Sequence, residues 1–278
     1  MSRRLELDGA VVVITGAAGG LGAELARQLT ARGARIALLA LPSDPIAELQ
    51  ASLPGSAAWA VDVTDETALV RVAAEVVERF GRVDAVVANA GIGDAGALLD
   101  MAAASYDRVI EVNLLGSVRT VRAFLPALVE SRGHVLQIAS LAAMVHAPLM
   151  SAYAASKAGV EAFAHALRPE VVHRGVTVGV AYLAFTDTAM VAAADADPVL
   201  KALRAGMPGP FGRTYPLVPA VTRLVAGLER RSAHVYAQRW LRVMMAVRGQ
   251  APSLVARSTS GPAAAAQTQS SEGARPWA

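Results

Sequence analysis

The chain has 278 residues, enough for one large domain or two small ones, and at 54% hydrophobic and 18% charged it can bury a core without metals or disulfides. It contains no cysteine, which excludes thiol catalysis, disulfide bridges and thiolate metal sites. A net charge of +3, few aromatics (5%) and no basic stripe before residue 229 argue against a nucleic-acid partner. The N-terminal apolar run is short and broken by Glu6, Asp8 and Gly9, unlike the core of a signal peptide. No uncharged stretch has the bulk and unbroken apolarity of a spanning helix. A cytoplasmic protein is therefore expected.

In chain order, residues 10–14 are continuous apolars, as in a strand buried on both faces, followed by a glycine turn and the helical spacing of AELARQLTAR. Gly33 stops that helix, and RIALLA reads as a second buried strand. Ser43 and Pro45 are expected to open a helix over DPIAELQASL, with AAWAV as the third strand. Thr64 is read as the cap of DETALVRVAAEVVERF, Gly81 as its end, and VDAVVANAG as the fourth strand. A helix over about 104–130, the strand HVLQIAS, a helix over 151–173 and the strand VTVGVAYL follow. The consistent βα phase predicts an α/β fold, a Rossmann-type doubly wound parallel sheet in a three-layer α/β/α arrangement. One domain is expected over 1–235, with 189–215 as a substrate lid. A basic helical extension over 236–257 and a disordered tail over 258–278, too poor in apolar residues to fold, complete the chain.

TGAAGGLG places Gly16, Gly20 and Gly22 between a buried strand and a helix start. Glycines there let the backbone turn tightly and approach a pyrophosphate, which the free N–H groups of the helix N-terminus attract. The alternative is a tight structural turn. No Lys-Ser/Thr follows, which disfavours nucleoside triphosphate hydrolysis.

Several further motifs follow in order: VDVTD (Asp62, Val63), NAG (Asn89, Ala90, Gly91), VNLLG (Asn113), IAS (Ser140) and YAASK (Tyr153, Lys157). With the glycine loop, read as TGxxxGxG, and the YxxxK pair, the chain resembles the short-chain dehydrogenase/reductase family over about residues 8–235. The resemblance implies an NAD(P)-dependent oxidoreductase moving a hydride between nicotinamide and a secondary alcohol or ketone. It implies that Tyr153 is the general acid/base, that Lys157 binds the ribose and lowers the Tyr153 pKa, that Ser140 orients the substrate oxygen, and that Asn113 supports a proton relay. The physical need is plain: an unperturbed tyrosine, with a pKa of about 10, is a poor base at neutral pH, and a cation one helical turn away favours its phenolate. Read singly, Ser140 could instead cap a turn and Asn113 could satisfy a buried backbone group.

The cofactor set implied by the resemblance is Gly16, Ala18, Gly20, Leu21, Gly22, Ala40, Leu41, Asp62, Val63, Asn89, Ala90, Gly91, Tyr153, Lys157, Thr186 and Thr188. Two departures stand out. Leu183-Ala184 align where relatives commonly have Pro-Gly, and Ala40 stands where NAD users tend to have Asp, while Leu41 stands where NADP users tend to have Arg. The balance favours NADP(H) over NAD(H). The pocket wall is expected from Met144, His146, Met150, Phe185 and Met190, an apolar lining suited to a neutral, bulky substrate; His146 could equally be an incidental surface histidine. No His/Asp/Glu cluster has metal-ligand spacing. A homodimer or homotetramer is implied, paired through helices 104–130 and 151–173. The basic helix within 239–257 could lie on an anionic membrane or pack on the domain itself. A non-catalytic NAD(P)-binding sensor or scaffold is the alternative function. A nucleotide-sugar epimerase or dehydratase is disfavoured by the short chain after residue 185.

Overall fold

Seven short, mostly apolar runs form seven strands among the described residues. They are β1 (Val11–Thr15), β2 (Arg35–Ala40), β3 (Ala57–Ala60), β4 (Ala85–Ala88), β5 (His134–Ile138), β6 (Thr177–Tyr182) and β7 (His234–Tyr236). All neighbours pair in parallel in the order β3-β2-β1-β4-β5-β6-β7. The computed structural model describes residues 4–250. Alternate side chains feed two cores: Val11, Val13 and Val135 on one face, Val12, Ile14 and Leu136 on the other. The helices are α1 (Gly20–Thr30), α2 (Ala47–Ala51), α3 (Glu66–Phe80), α4 (Ala103–Ile110), α5 (Gly116–Ser131), α6 (Ser151–Val171), α7 (Ala189–Ala196), α8 (Pro198–Ala205), α9 (Leu217–Glu229) and α10 (Leu241–Val247). This is the expected doubly wound, three-layer α/β architecture. From β1 the chain steps outward to β2 and β3, and then returns past β1 to β4. The crevice beyond the carboxyl ends of β1 and β4 is the natural ligand position.

Several local expectations are corrected. Ser43 and Pro45 do not open a helix: Asp44 closes a turn on Leu41, its N–H donating to the Leu41 carbonyl and its carboxylate accepting from the Leu41 N–H at 3.0 Å, so α2 starts only at Ala47. Asp65, not Thr64, caps α3, accepting from Ala68 N at 2.9 Å, because Thr64 is occupied by its own bonds to Asp62. The expected single helix 104–130 is α4 and α5 joined by a π-turn over Glu111–Leu115, with Asn113 at its centre. By length and composition, 103–131 is the one described helix that could cross a membrane, yet it buries Val109, Val112, Val121, Phe124 and Leu128 in the core. The 189–215 segment contains α7, capped by Thr188, and α8, capped by Asp197. Residues 251–257 of the expected extension and the whole expected tail, 258–278, lie outside the described residues.

Candidate active site

The turn after β1 is built around glycines that no other residue could replace without movement. Gly16 has φ of 62°, and a Cβ there would lie 3.0 Å from Ala90 Cα. A Cβ on Gly22 would overlap the Gly16 carbonyl oxygen and reach within 2.9 Å of Asn89 Nδ2. Gly19 precedes α1 without a side-chain cap, and Gly19, Gly20 and Leu21 line the crevice, so the first turn of α1 is open to an anionic ligand. Thr15 and Asn89 tie the ends of β1 and β4 together. The Thr15 hydroxyl accepts from the Asn89 and Ala90 N–H groups, each at 3.0 Å, while Asn89 Nδ2 donates to the Thr15 and Gly16 carbonyls. Thr15 is the first residue of the TGxxxGxG motif, yet the sequence alone assigns it no role.

Beyond these residues a cleft of about 310 Å³ runs from the glycine loop to the start of α6. It is lined by Gly16, Gly20, Leu21, Asn89, Ala90, Gly91, Ser140, Tyr153, Lys157, Thr186, Thr188 and Met190 from the expected set, and also by Gly19, Ile138, Ala139, Leu183, Ala184, Ala189 and Val191. Tyr153 and Lys157 share a face of α6 one turn apart. Ser140 follows β5 and does two things at once: its Oγ accepts from Ala142 N at 3.1 Å, capping a short turn, and its side chain is hydrogen-bonded to Tyr153. The capping reading of Ser140 therefore holds.

Asn113 does not line the cleft. It is buried behind Gly91, its Oδ1 accepting from Ile92 N at 2.8 Å and its Nδ2 donating to the Ile92 carbonyl and to Ser156 Oγ. Its side chain is thus occupied in satisfying a backbone segment, as the structural alternative held. Gly91 is squeezed between Asn113 and Lys157: a Cβ would sit 3.1 Å from Asn113 Oδ1 and 3.5 Å from Lys157 Nζ.

The electrostatics differ from expectation. Burial lowers the Lys157 ammonium to about 8. Burial pushes the Tyr153 phenol up, and the hydrogen bond with Ser140 pulls it down only in part. Lys157 adds nothing to this lowering: its Nζ turns to the Ile138 carbonyl at 3.0 Å and sits 5.8 Å from the Tyr153 ring centroid.

The remaining cofactor candidates, Ala18, Gly22, Ala40, Leu41, Asp62 and Val63, lie outside this cleft. Ala40 is buried at the end of β2, and Leu41 beside it is exposed. Val63 points into the core against Gly116. Burial raises the Asp62 carboxyl, but the Thr64 N–H, Arg108 at 2.9 Å and the Thr64 hydroxyl outweigh it and hold it below its ordinary value.

Of the expected pocket wall, only Met190 reaches the cleft. Met144 is in the core, 2% exposed, because the turn over Leu141–Ala143 aims it inward. His146 is exposed and does not line the cleft. Phe185 does not line the cleft, although Ala184 and Thr186 on either side of it do, and it packs under the Arg204 guanidinium at 5.2 Å. Met150 precedes α6 and does not reach the cleft either. Of the segment expected as a lid, only the first turn of α7 lines the cleft.

A family model described as short chain dehydrogenase matches residues 10–198. Dehydrogenase/reductase SDR family member 7B of Bos taurus is 39% identical over 188 residues, covering 64% of this chain and 58% of that protein. The chain thus spans less than two thirds of that relative's length. The 2-dehydro-3-deoxy-L-rhamnonate dehydrogenase (NAD(+)) of Sphingomonas sp. (strain SKA58) is 35% identical over 170 residues, covering 60% of this chain and 68% of that protein. The crystal structure of levodione reductase superposes with a TM-score of 0.77 at 26% identity, covering 85% of this chain and 98% of that one.

Proposed function

The chain belongs to the short-chain dehydrogenase family, and on that premise we propose that it is an oxidoreductase moving a hydride between a nicotinamide cofactor and a secondary alcohol or ketone. The observation that carries this reading is the convergence of Ser140, Tyr153 and Lys157 with the glycine loop in one cleft. The cleft fits such a cofactor: a cradle free of Cβ atoms at Gly16 and Gly20 leads from the uncapped N-terminus of α1 to Lys157. When bound, the cofactor supplies or accepts the hydride.

The protein's own part is the matched proton. Tyr153 Oη gives a proton to the substrate oxygen or takes one from it, and Ser140 Oγ holds that oxygen in line. Lys157, anchored on the Ile138 carbonyl, lines the cleft, where its ammonium holds ribose hydroxyls. Asn113 supports the proton path by fixing the Ile92 segment and Ser156 around Lys157. Leu183, Met190 and Val191 make an apolar wall that suits a neutral, bulky substrate.

For the cofactor we retain NADP(H). Ala40 leaves the end of β2 without an acidic side chain, and Asp44, held at the Leu41 N–H, limits the preference by placing a carboxylate nearby. Titration of the purified chain with both cofactors tests this, and tighter NADH binding would reverse it. The activity itself is tested with NADPH and a panel of neutral ketones. Tyr153→Phe is expected to lower turnover by roughly 10²–10⁴-fold with cofactor affinity retained; full turnover in that variant would remove Tyr153 from the chemistry.

A further inference from the structure

The peptide unit joining Leu183 to Ala184 forms part of the cleft wall, and both of its polar ends are fixed from outside the cleft. Its carbonyl, on Leu183, accepts from Leu141 N at 2.7 Å, the residue directly after Ser140. Its N–H, on Ala184, donates to Gln238 Oε1 at 3.0 Å in a fully buried bond. Gln238 is 5% exposed, does not line the cleft, and lies beyond the domain boundary that the sequence suggests at residue 235.

The reason a side chain is needed is topological. The β6–β7 ladder runs from Val180–His234 to Tyr182–Tyr236, and Ala237 N adds one more bond to the Tyr182 carbonyl. There the chain turns away into α10, with Leu241 N bonding back to the Gln238 carbonyl. No further main-chain acceptor follows alongside β6, and the Gln238 amide oxygen takes that place, extending the ladder by one bond to the edge of the cleft. The Ala184 carbonyl then accepts from Thr186 Oγ1 at 2.9 Å, and Thr186 also lines the cleft. Leu141, Gln238 and Thr186 together fix the wall facing Ser140 and Tyr153. Trp240, two residues on, holds the return leg of the lid at Phe211 and Tyr215, and Tyr215 is hydrogen-bonded to Phe185 and Asp187.

We propose that Gln238 is a positioning residue for hydride transfer, setting the Leu183–Thr186 wall from behind so that the reacting end of the cleft keeps its shape. The inference rests on the activity proposed above. Its test compares Gln238→Met, which keeps the volume and removes the acceptor, with Gln238→Glu, which keeps an acceptor oxygen. Gln238→Ala, which leaves room for a water at the Ala184 N–H, replaces the Met variant should that one not fold. Steady-state kinetics and the NADPH dissociation constant are read alongside Tm. Gln238→Met is expected to lose roughly ten- to a hundredfold in kcat, more than its KM changes, and to bind NADPH more weakly, with Gln238→Glu restoring both. Wild-type kcat, KM and NADPH affinity in Gln238→Met, whatever its Tm, overturn the proposal. Because NADPH binding is read without turnover, a wild type inactive on every ketone tried sinks the assigned activity, and the binding comparison still decides the role of Gln238.

Discussion

Burial lowers Lys157 from its ordinary 10.5 to about 8, so between those values the unfolded chain holds a proton that the folded chain has released. Stability therefore rises with pH across that window, and below about pH 8 the folded protein carries the full cost of the buried ammonium, roughly 3 kcal/mol. The lone counter-group seen for it, the Ile138 carbonyl, is neutral and offsets this only in part. The site thus stores a destabilising charge where the proposed chemistry needs one. Lys157→Met, of similar length and without the charge, is expected to gain about 1–2 kcal/mol near pH 7 and to lose turnover. Urea denaturation near pH 7 and near pH 10 checks it. A variant less stable than wild type near pH 7, or one that keeps the wild-type slope between those values, would show that the cost is not carried by this ammonium.

Among the elements, those whose burial is nearly complete were readable from their residues. VVVIT, AVVA and HVLQI bury every position, and runs this short and rich in β-branched residues suit a strand covered on both faces. Gly33 and Gly81 mark helix ends because both take positive φ, 86° and 79°. What escaped was set by single backbone steps. The π-turn at 111–115 adds one residue to a turn without disturbing the apolar spacing, and Met144 and Phe185 depend on how a turn or strand end aims alternate side chains. Ser140, Tyr153 and Lys157 were legible as candidates because they stand in the ordered motifs IAS and YAASK, whereas Gln238 was not, because its partner is a main-chain N–H with no sequence signature.

The described part of the basic segment after β7 belongs to this scale too. Leu241, Met244 and Met245 of α10 pack on the core, and Arg248 reaches Glu161 on α6 at 2.6 Å, one turn beyond Lys157. Glu161 is buried, and the Tyr182 hydroxyl, its phenol pushed up by burial and by that carboxylate, donates to it at 2.7 Å. Removing the guanidinium strands a buried carboxylate, but the Arg248 side chain is 43% exposed and screened. Arg248→Met is accordingly expected to cost about 1–2 kcal/mol, and adding Glu161→Gln to recover most of it. A double-mutant cycle by denaturation checks this, and strictly additive losses would dissolve the link between α10 and α6.

For the whole molecule, pH bears on the sheet as well as on the site. His134 lies on β5 with no exposed surface, its Nδ1 2.8 Å from Thr177 Oγ1. Burial, with Arg231 and Arg168 nearby, lowers it from 6.5 to about 3. Here too the unfolded chain takes up the proton first, so this contribution is complete above about pH 6.5 and is lost as pH falls toward 3. The full loss of about 5 kcal/mol is comparable to the whole stability of an ordinary domain. Since β5 lies between the two cores, protonating it favours opening both together. Combined with Lys157, stability should climb between about pH 3 and 6.5, level off up to about pH 8, and climb again above it. His134→Gln keeps a polar partner for Thr177 and has no proton to gain. It is expected to be less stable than wild type near pH 7, from imperfect packing, and to lose less on moving to about pH 4.5. Denaturation midpoints of both proteins at the two pH values measure the difference in slope. Equal slopes would assign the acid sensitivity to the carboxylates and leave His134 with a packing role alone.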